Sequence, residues 1–508
     1  MDSKAKTIML QGTSSHVGKS LLCTALCRIF KQDGYRVAPF KAQNMALNSF
    51  VTAEGDEIGR AQGVQAEAAG VPAEARMNPV LLKPKADMDA QVIVMGKPLA
   101  DMSARDYRAR FLPRAVALVQ NCIDELRRDF HILVIEGAGS PAEVNLKDKD
   151  IVNMKTAELA DAPVLLVADI DRGGVFASLV GTLELLAPHE RERVAGFIIN
   201  KFRGDISLLR PGLDFLEQRT GKPVLGVIPY LHRHGVDQED SVVLSENPVY
   251  RNRQGDIDIA VIKLPRISNF TDLDPLFKVP GNGVRFVEPG EELGRPDVII
   301  LPGTKNSVLD MQRLWQTNTA RDIISAYHNR VSVVGICGGY QMLGQVLLDP
   351  EGLEGTGEEK VPGLGLLDME TIFKPGKITR QVQCVVKGSD DFWHQLQQQR
   401  VKGYEIHSGH SRYGASCQPV LVSGSDIIGV TAPGGRVWGT YLHGIFDNKN
   451  FTLAWINNLR RSRGLPEINS RQVGTMDREA AYDKLADQVR EHLDMKKLYQ
   501  IMGVNRHD

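Results

Sequence analysis

The residue whose setting most strongly suggests chemistry is Cys337, in Val331-Ser332-Val333-Val334-Gly335-Ile336-Cys337-Gly338-Gly339-Tyr340-Gln341. An apolar strand runs straight into the cysteine, and glycines lie on both sides of it. A nucleophile set on a sharp strand-to-helix turn needs neighbours without bulk, which Gly335, Gly338 and Gly339 provide. The following helix N-terminus favours negative charge at the sulfur and offers backbone N–H groups to an oxyanion. A cysteine buried only for packing would not require three flanking glycines. Such a nucleophile needs a base. His443, in Gly439-Thr440-Tyr441-Leu442-His443-Gly444-Ile445-Phe446, ends another apolar stretch and is placed to meet Cys337 across a sheet. Leu301-Pro302-Gly303-Thr304-Lys305-Asn306 ends a further strand, and the backbone near Gly303 can join that of Gly338 in holding an oxyanion. The chemistry expected here is covalent attack on an acyl carbon.

A second constellation lies near the N-terminus. Gly12-Thr13-Ser14-Ser15-His16-Val17-Gly18-Lys19-Ser20 sits between an apolar strand and a helix. Glycines let successive backbone N–H groups turn towards a phosphate, Lys19 adds a point charge, and the Ser20 hydroxyl can coordinate Mg2+. Five residues rather than four separate Gly12 from Gly18, but the strand–loop–helix context holds, and ATP is the expected ligand. Glu136 ends the run Ile132–Ile135 and is positioned to reach the metal directly or through water. Asn200 follows the run ending at Ile199, where its amide can meet an adenine edge; Asp169 and Asp171 also sit at a strand end. The amide-rich segment Lys41-Ala42-Gln43-Asn44-Met45-Ala46-Leu47-Asn48, followed by Glu57, Arg60 and Gln62, is expected to orient a polar substrate beside the γ-phosphate through Lys41, Gln43, Asn44 and Asn48.

The elements that must position these groups follow from hydrophobic periodicity. Runs at Thr7–Leu10, Arg36–Phe40, Ile132–Ile135, Val164–Ala168, Val194–Ile199 and Val224–Ile228 alternate with amphipathic stretches, the pattern of a parallel sheet covered on both faces. Ligands bind such folds at the carboxyl ends of the strands. A second alternation starts at Ile257–Leu264 and continues through Val284–Val287, Val298–Leu301 and Val331–Ile336, with more strand character from Leu364 to Tyr441. The expected fold is therefore α/β: two doubly wound domains at 1–231 and 256–450, a polar linker at 232–255, and a helical tail at 451–508.

Composition bounds the partners. The 508 residues carry a formal net charge of -1, so no global basic field is available for nucleic acid or an anionic membrane. No apolar stretch approaches the ~20 residues of a membrane helix. The six cysteines form no CxxC pair, which suits reduced thiols in a cytoplasm. Cys23 and Cys27, four apart on a helix, are expected to pack in its core.

The strand–Cys337–Gly–Gly–Tyr–Gln341 segment, the Pro302-Gly303 loop and His443 together resemble a class I glutamine amidotransferase domain. Gln341, Gly303 and Gly338 would then hold glutamine and its oxyanion. That family's triad has a Glu two residues after the His; here Ile445 stands there, and Glu405 is a candidate replacement. The phosphate loop resembles the dethiobiotin-synthetase type. The partitioning type carries an extra early lysine, whereas this chain has Ser14. An ATPase of this kind followed by an amidotransferase lacking that Glu is the arrangement of the cobyrinate-amidating enzymes. Within them the Lys41–Asn48 and Leu301–Asn306 segments resemble the cobyric acid synthase family. The resemblance implies amidation of the b, d, e and g side chains of adenosylcobyrinic a,c-diamide, with ATP, Mg2+ and glutamine. Other carboxylates, such as cobyrinate's a and c positions or a cell-wall lipid, are the alternative substrates; lipid-linked relatives typically carry a cysteine-rich metal ribbon, which this chain lacks. A scaffold ATPase is a more distant alternative, opposed by the Cys337/His443 pair.

Overall fold

In a computed structural model, residues 4–85, 89–145, 150–231, 235–236, 255–354, 357, 359–388, 391–472 and 477–504 are described. The expected linker, 232–255, therefore lies almost wholly outside the described residues.

All six N-terminal apolar runs become strands of one parallel sheet. Its order is Val224–Pro229, Val194–Phe202, Val164–Asp169, Lys6–Gly12, Ile132–Glu136, Val37–Phe40. Alternate side chains enter two cores, as expected when both faces of a sheet are covered. Ile8, Leu10, Ile132 and Val134 face one core. Met9, Leu133 and Ile135 face the other. In this register Leu10 lies beside Glu136 and Gly12 beside Val167, so the phosphate loop and Glu136 emerge from adjacent strands at the same edge.

The second unit is built on a mixed sheet. Its parallel part runs Asn282–Val287, Ile257–Ile262, Val298–Leu301, Ser332–Ile336, Val437–Thr440. Antiparallel strands Asp426–Thr431, Gln418–Ser423, Met369–Val386 and Arg400–Tyr413 extend it. Cys337 and His443 thus follow neighbouring parallel strands, with Ile336 paired to Thr440.

Two features were not legible in the hydrophobic pattern. The amide-rich segment opens a four-stranded sheet, Gln43–Met45, Val80–Pro84, Asp89–Val94 and Lys97–Ser103. A hairpin, Ser49–Val51 with Glu57–Gly59, leads into helix Arg60–Ala69 and leans on the second unit. Gln43–Met45 and both hairpin strands are three residues long, too short to show periodicity in sequence.

The helical tail is divided between the two units. Helix Lys449–Ser462 buries Phe451 and Trp455 against Trp438. Helices Arg478–Glu491 and Met495–Met502 return to the N-terminal unit and share a core with Leu22, Cys23, Cys27 and Phe30 of helix Lys19–Gln32. Buried Arg28 pairs with Glu479 and Asp483, both at 2.6 Å. The Asp494 amide donates to the Leu225 carbonyl at 2.7 Å. Among the described residues no helix is long and apolar enough to cross a membrane.

Candidate active site

Cys337 adopts φ 51°, ψ −107°, a strained backbone for a residue with a side chain, at the turn between strand Ser332–Ile336 and a short helix, Gly338–Met342. The turn is possible because its neighbours lack side chains: a Cβ on Gly339 would lie 2.0 Å from the Leu301 carbonyl oxygen. The helix is only five residues long, so backbone N–H groups matter more here than its macrodipole. The Gly339 amide is bound to the Pro302 carbonyl at 3.1 Å. Gly338 packs against Thr304, and a Cβ on Gly303 would sit 3.1 Å from the His443 ring, so both expected oxyanion segments border the nucleophile and its base.

His443 is fully enclosed. Its Nδ1 lies 2.6 Å from Asp272 Oδ2, while Asp272 Oδ1 accepts from the Gly444 amide at 2.9 Å. The Tyr404 ring stacks on the imidazole at 5.0 Å and 14°. Burial disfavours the imidazolium, but the Asp272 carboxylate, together with neighbouring Cys337, outweighs it and holds the ring's pKa up at about 10. Nε2 is buried with no partner at hydrogen-bond geometry among the described residues, and the Cys337 thiol donates to the Ile406 carbonyl at 3.6 Å.

Asp272 occupies the position that Ile445 leaves empty, and sequence reasoning missed it. Glu405, the candidate from sequence, is engaged elsewhere: it binds Arg380 at 2.6 Å and faces His407 at 3.3 Å. Asp272 lies after the first strand of the second unit, in Asn269-Phe270-Thr271-Asp272-Leu273-Asp274, where only an acidic pair marks it. Gln341 lies at the elbow. Its side-chain carbonyl accepts from Ser307 at 2.6 Å and its Nε2 donates to the Tyr441 hydroxyl at 3.4 Å, which braces the elbow.

At the phosphate loop, Lys19 Nζ donates to the Ser14 and Gly139 carbonyls at 3.0 and 3.1 Å, spanning the loop mouth. The Thr13 amide is tied to the Val167 carbonyl. Gly18 has φ 98°, and a Cβ there would lie 2.2 Å from the Asn200 amide nitrogen. That amide donates to the Val17 carbonyl at 2.8 Å. Asn200 therefore supports the phosphate loop from below.

Glu136 collects three donors: Ser20 Oγ at 2.8 Å, Lys41 Nζ at 2.8 Å and Gln65 Nε2 at 2.6 Å. Burial works against its charge, but Lys41 and these hydrogen bonds hold the carboxyl below its usual range. Ser20 and Glu136, expected together from sequence, are in contact, with Lys41 as a third member. Gln65 was missed because a glutamine inside a helix gives no spacing signal. Of the other expected substrate residues, Asn44 donates to Gln62 at 3.1 Å and Asn48 is buried, whereas Gln43 accepts from Tyr107.

The hairpin and helix Arg60–Ala69 link the two sites. Val51 clusters with Tyr404 and Ile406 beside the elbow. Gln65, just over one turn beyond Arg60, reaches Glu136 at the phosphate loop.

This fold and these sites define an enzyme class that joins a P-loop nucleotide-binding domain to a glutamine amidotransferase domain. Residues 8–238 match the CobQ/CobB/MinD/ParA nucleotide binding domain, and residues 258–451 match the CobB/CobQ-like glutamine amidotransferase domain. The chain is 62% identical to the cobyric acid synthase of Desulforamulus reducens, over 98% of each chain. It is 51% identical to that of Pelotomaculum thermopropionicum over 98% of this chain and 97% of the relative. With that of Moorella thermoacetica it shares 52% identity over 99% of this chain and 98% of the relative. The chain belongs to the cobyric acid synthase family, and is a glutamine-hydrolysing ligase.

Proposed function

We propose that the chain amidates adenosylcobyrinic acid a,c-diamide in cobalamin biosynthesis, at its b, d, e and g carboxylates, with glutamine as nitrogen donor and ATP as activator. The observation that carries this reading is the pairing, within one chain, of a Cys337–His443–Asp272 elbow with a Lys19–Ser20–Glu136 phosphate loop. Family membership gives the substrate class.

In the mechanism, Cys337 Sγ attacks the glutamine carboxamide carbon, and His443 receives the thiol proton and returns it to the departing ammonia. Asp272 holds the ring so that Nε2 faces the sulfur. The backbone amides at Gly338 and Gly303 take the oxyanion. Water then releases glutamate from the thioester. At the other site a substrate carboxylate attacks the γ-phosphorus of ATP and ADP leaves. Ammonia attacks the resulting acyl phosphate and phosphate departs. Phosphorylation is needed because a carboxylate has no good leaving group. Lys19 neutralises phosphate charge during the transfer.

Mg2+ suits the donor set: it favours oxygen ligands, one or two carboxylates, and phosphate and water for the remainder. Ser20 Oγ and Glu136 would hold it, with the buried Gln65 Oε1, which has no partner among the described residues, as a further oxygen nearby. When bound it would neutralise charge on the phosphate oxygens. A cytoplasmic setting fits the six free cysteines.

The test is mass spectrometry of the corrinoid incubated with ATP and either nitrogen source. Cys337→Ser should form no amide with glutamine and should keep near wild-type amidation with ammonium. Full product from glutamine in that variant would overturn the assignment.

A further inference from the structure

The acid that holds His443 is itself held by the other domain. Asn269, buried and three residues before Asp272, sits in the left-handed region at φ 52°, ψ 38°. Its backbone carbonyl accepts from the Asp272 amide at 3.0 Å. Its side-chain Oδ1 accepts from the backbone amide of Ser49 at 2.9 Å, across the domain boundary and 220 positions away in sequence. Ser49 is the first residue of the hairpin, and its own Oγ is fixed by Glu57 at 2.7 Å and Lys83 at 2.8 Å. The same chain segment runs back through Asn48 and Asn44 to Lys41, which lies on Glu136 at the phosphate loop. An unbroken covalent segment thus has one end on the phosphate-site carboxylate and the other on the loop that carries the triad acid.

We propose that Asn269 is a positioning residue for glutamine hydrolysis, and that the docked Ser49 amide completes the glutaminase by holding the Asn269–Asp272 turn in its working form. The hydrolytic site is then complete only when the N-terminal domain is seated on it. A change at Lys41–Asn48 on substrate binding can reach His443 through one hydrogen bond and one turn. This inference rests on the glutaminase assignment above.

The bond can be removed from either side, and the two removals have different side effects. Asn269→Gly keeps the left-handed backbone, which glycine adopts without strain, and deletes the side chain that carries the acceptor. Ser49→Pro deletes the N–H donor at a strand's first residue, a position where proline is tolerated, and with it the hydroxyl that meets Glu57 and Lys83. Ser49→Ala loses the same hydroxyl but keeps the N–H, so the difference between Ser49→Pro and Ser49→Ala isolates the bond to Asn269.

In the full-length enzyme, Asn269→Gly and Ser49→Pro should each lower kcat for glutamine hydrolysis by about tenfold, the loss of one buried hydrogen bond in the transition state. The glutamine KM should stay near wild type, and amidation from ammonium should be retained. The double variant should be no slower than either single one, because both delete the same bond. Wild-type kcat in Asn269→Gly, or losses that add in the double variant, would overturn the proposal. Failure of the wild-type enzyme to hydrolyse glutamine would instead overturn the glutaminase assignment.

Discussion

Because the His443 ring is enclosed and its Nδ1 lies 2.6 Å from Asp272, its protonation governs how glutamine hydrolysis responds to pH. A pKa raised to about 10 means that the ring keeps a proton received from the nucleophile long enough to pass it to ammonia. The alkaline limb of kcat/KM should accordingly fall near pH 10. In Asp272→Asn the carboxylate that outweighs burial is gone, so this limb should move towards the ordinary histidine value of ~6.5 and kcat should drop by roughly a hundredfold or more. A pH–rate profile of the two proteins checks this; an unmoved limb would rule out Asp272 as the ring's partner. The sign for stability is the same. The folded-state value lies above the unfolded one, so the pair's stabilisation is complete below pH ~6.5 and is lost as pH rises through about 10. The wild-type melting temperature should therefore fall across that window more steeply than that of Asp272→Asn.

Among the elements, the C-terminal helices gain a clear structural role. Arg478–Glu491 and Met495–Met502 complete one face of the N-terminal sheet through Leu485, Val489, Leu498 and Tyr499. Leu485 is fully enclosed, and Leu485→Ala should destabilise by about 2–5 kcal/mol, the cost of a core cavity. Denaturant unfolding measures this, and glutamine hydrolysis below the transition should persist because the elbow has its own core. The amphipathic pattern of 478–502 marks these helices in sequence but says nothing of which unit they cover. Likewise Arg28 meets Glu479 and Asp483 only because the chain returns across some 450 positions.

For the whole molecule, the interface contains a buried ion cluster. Glu57 of the hairpin lies between Lys83 of its own unit and Lys377 of the other. Burial opposes the Glu57 charge, but the two lysines hold its carboxyl far below the usual range; burial also pulls Lys377 down to about 7. Around it Arg266 donates to the Lys85 carbonyl at 2.9 Å, and Gln381 to that of Val51 at 2.5 Å. Lys377→Met should weaken docking by about 1.5–3 kcal/mol, the scale of a hydrogen bond to a charged group. Its signature should be more glutamate released per amide formed, measured by comparing the two products. An unchanged ratio would show that this cluster does not couple the sites.

Local sequence determined the parts that depend on short-range physics. Continuous apolar runs specified the strands of the parallel sheet, and glycine spacing specified both Cys337 and the Lys19 loop, because turn geometry and backbone access are local properties. The tertiary structure alone decided what meets across distance. Asp272 in place of Glu405 beside His443, Asn200 beneath the phosphate loop, Gln65 on Glu136, and Ser49 against Asn269 all depend on pairings between segments far apart in the chain. Polar side chains carry no periodicity that records their partners, so those contacts appear only once the sheets and the hairpin have been packed together.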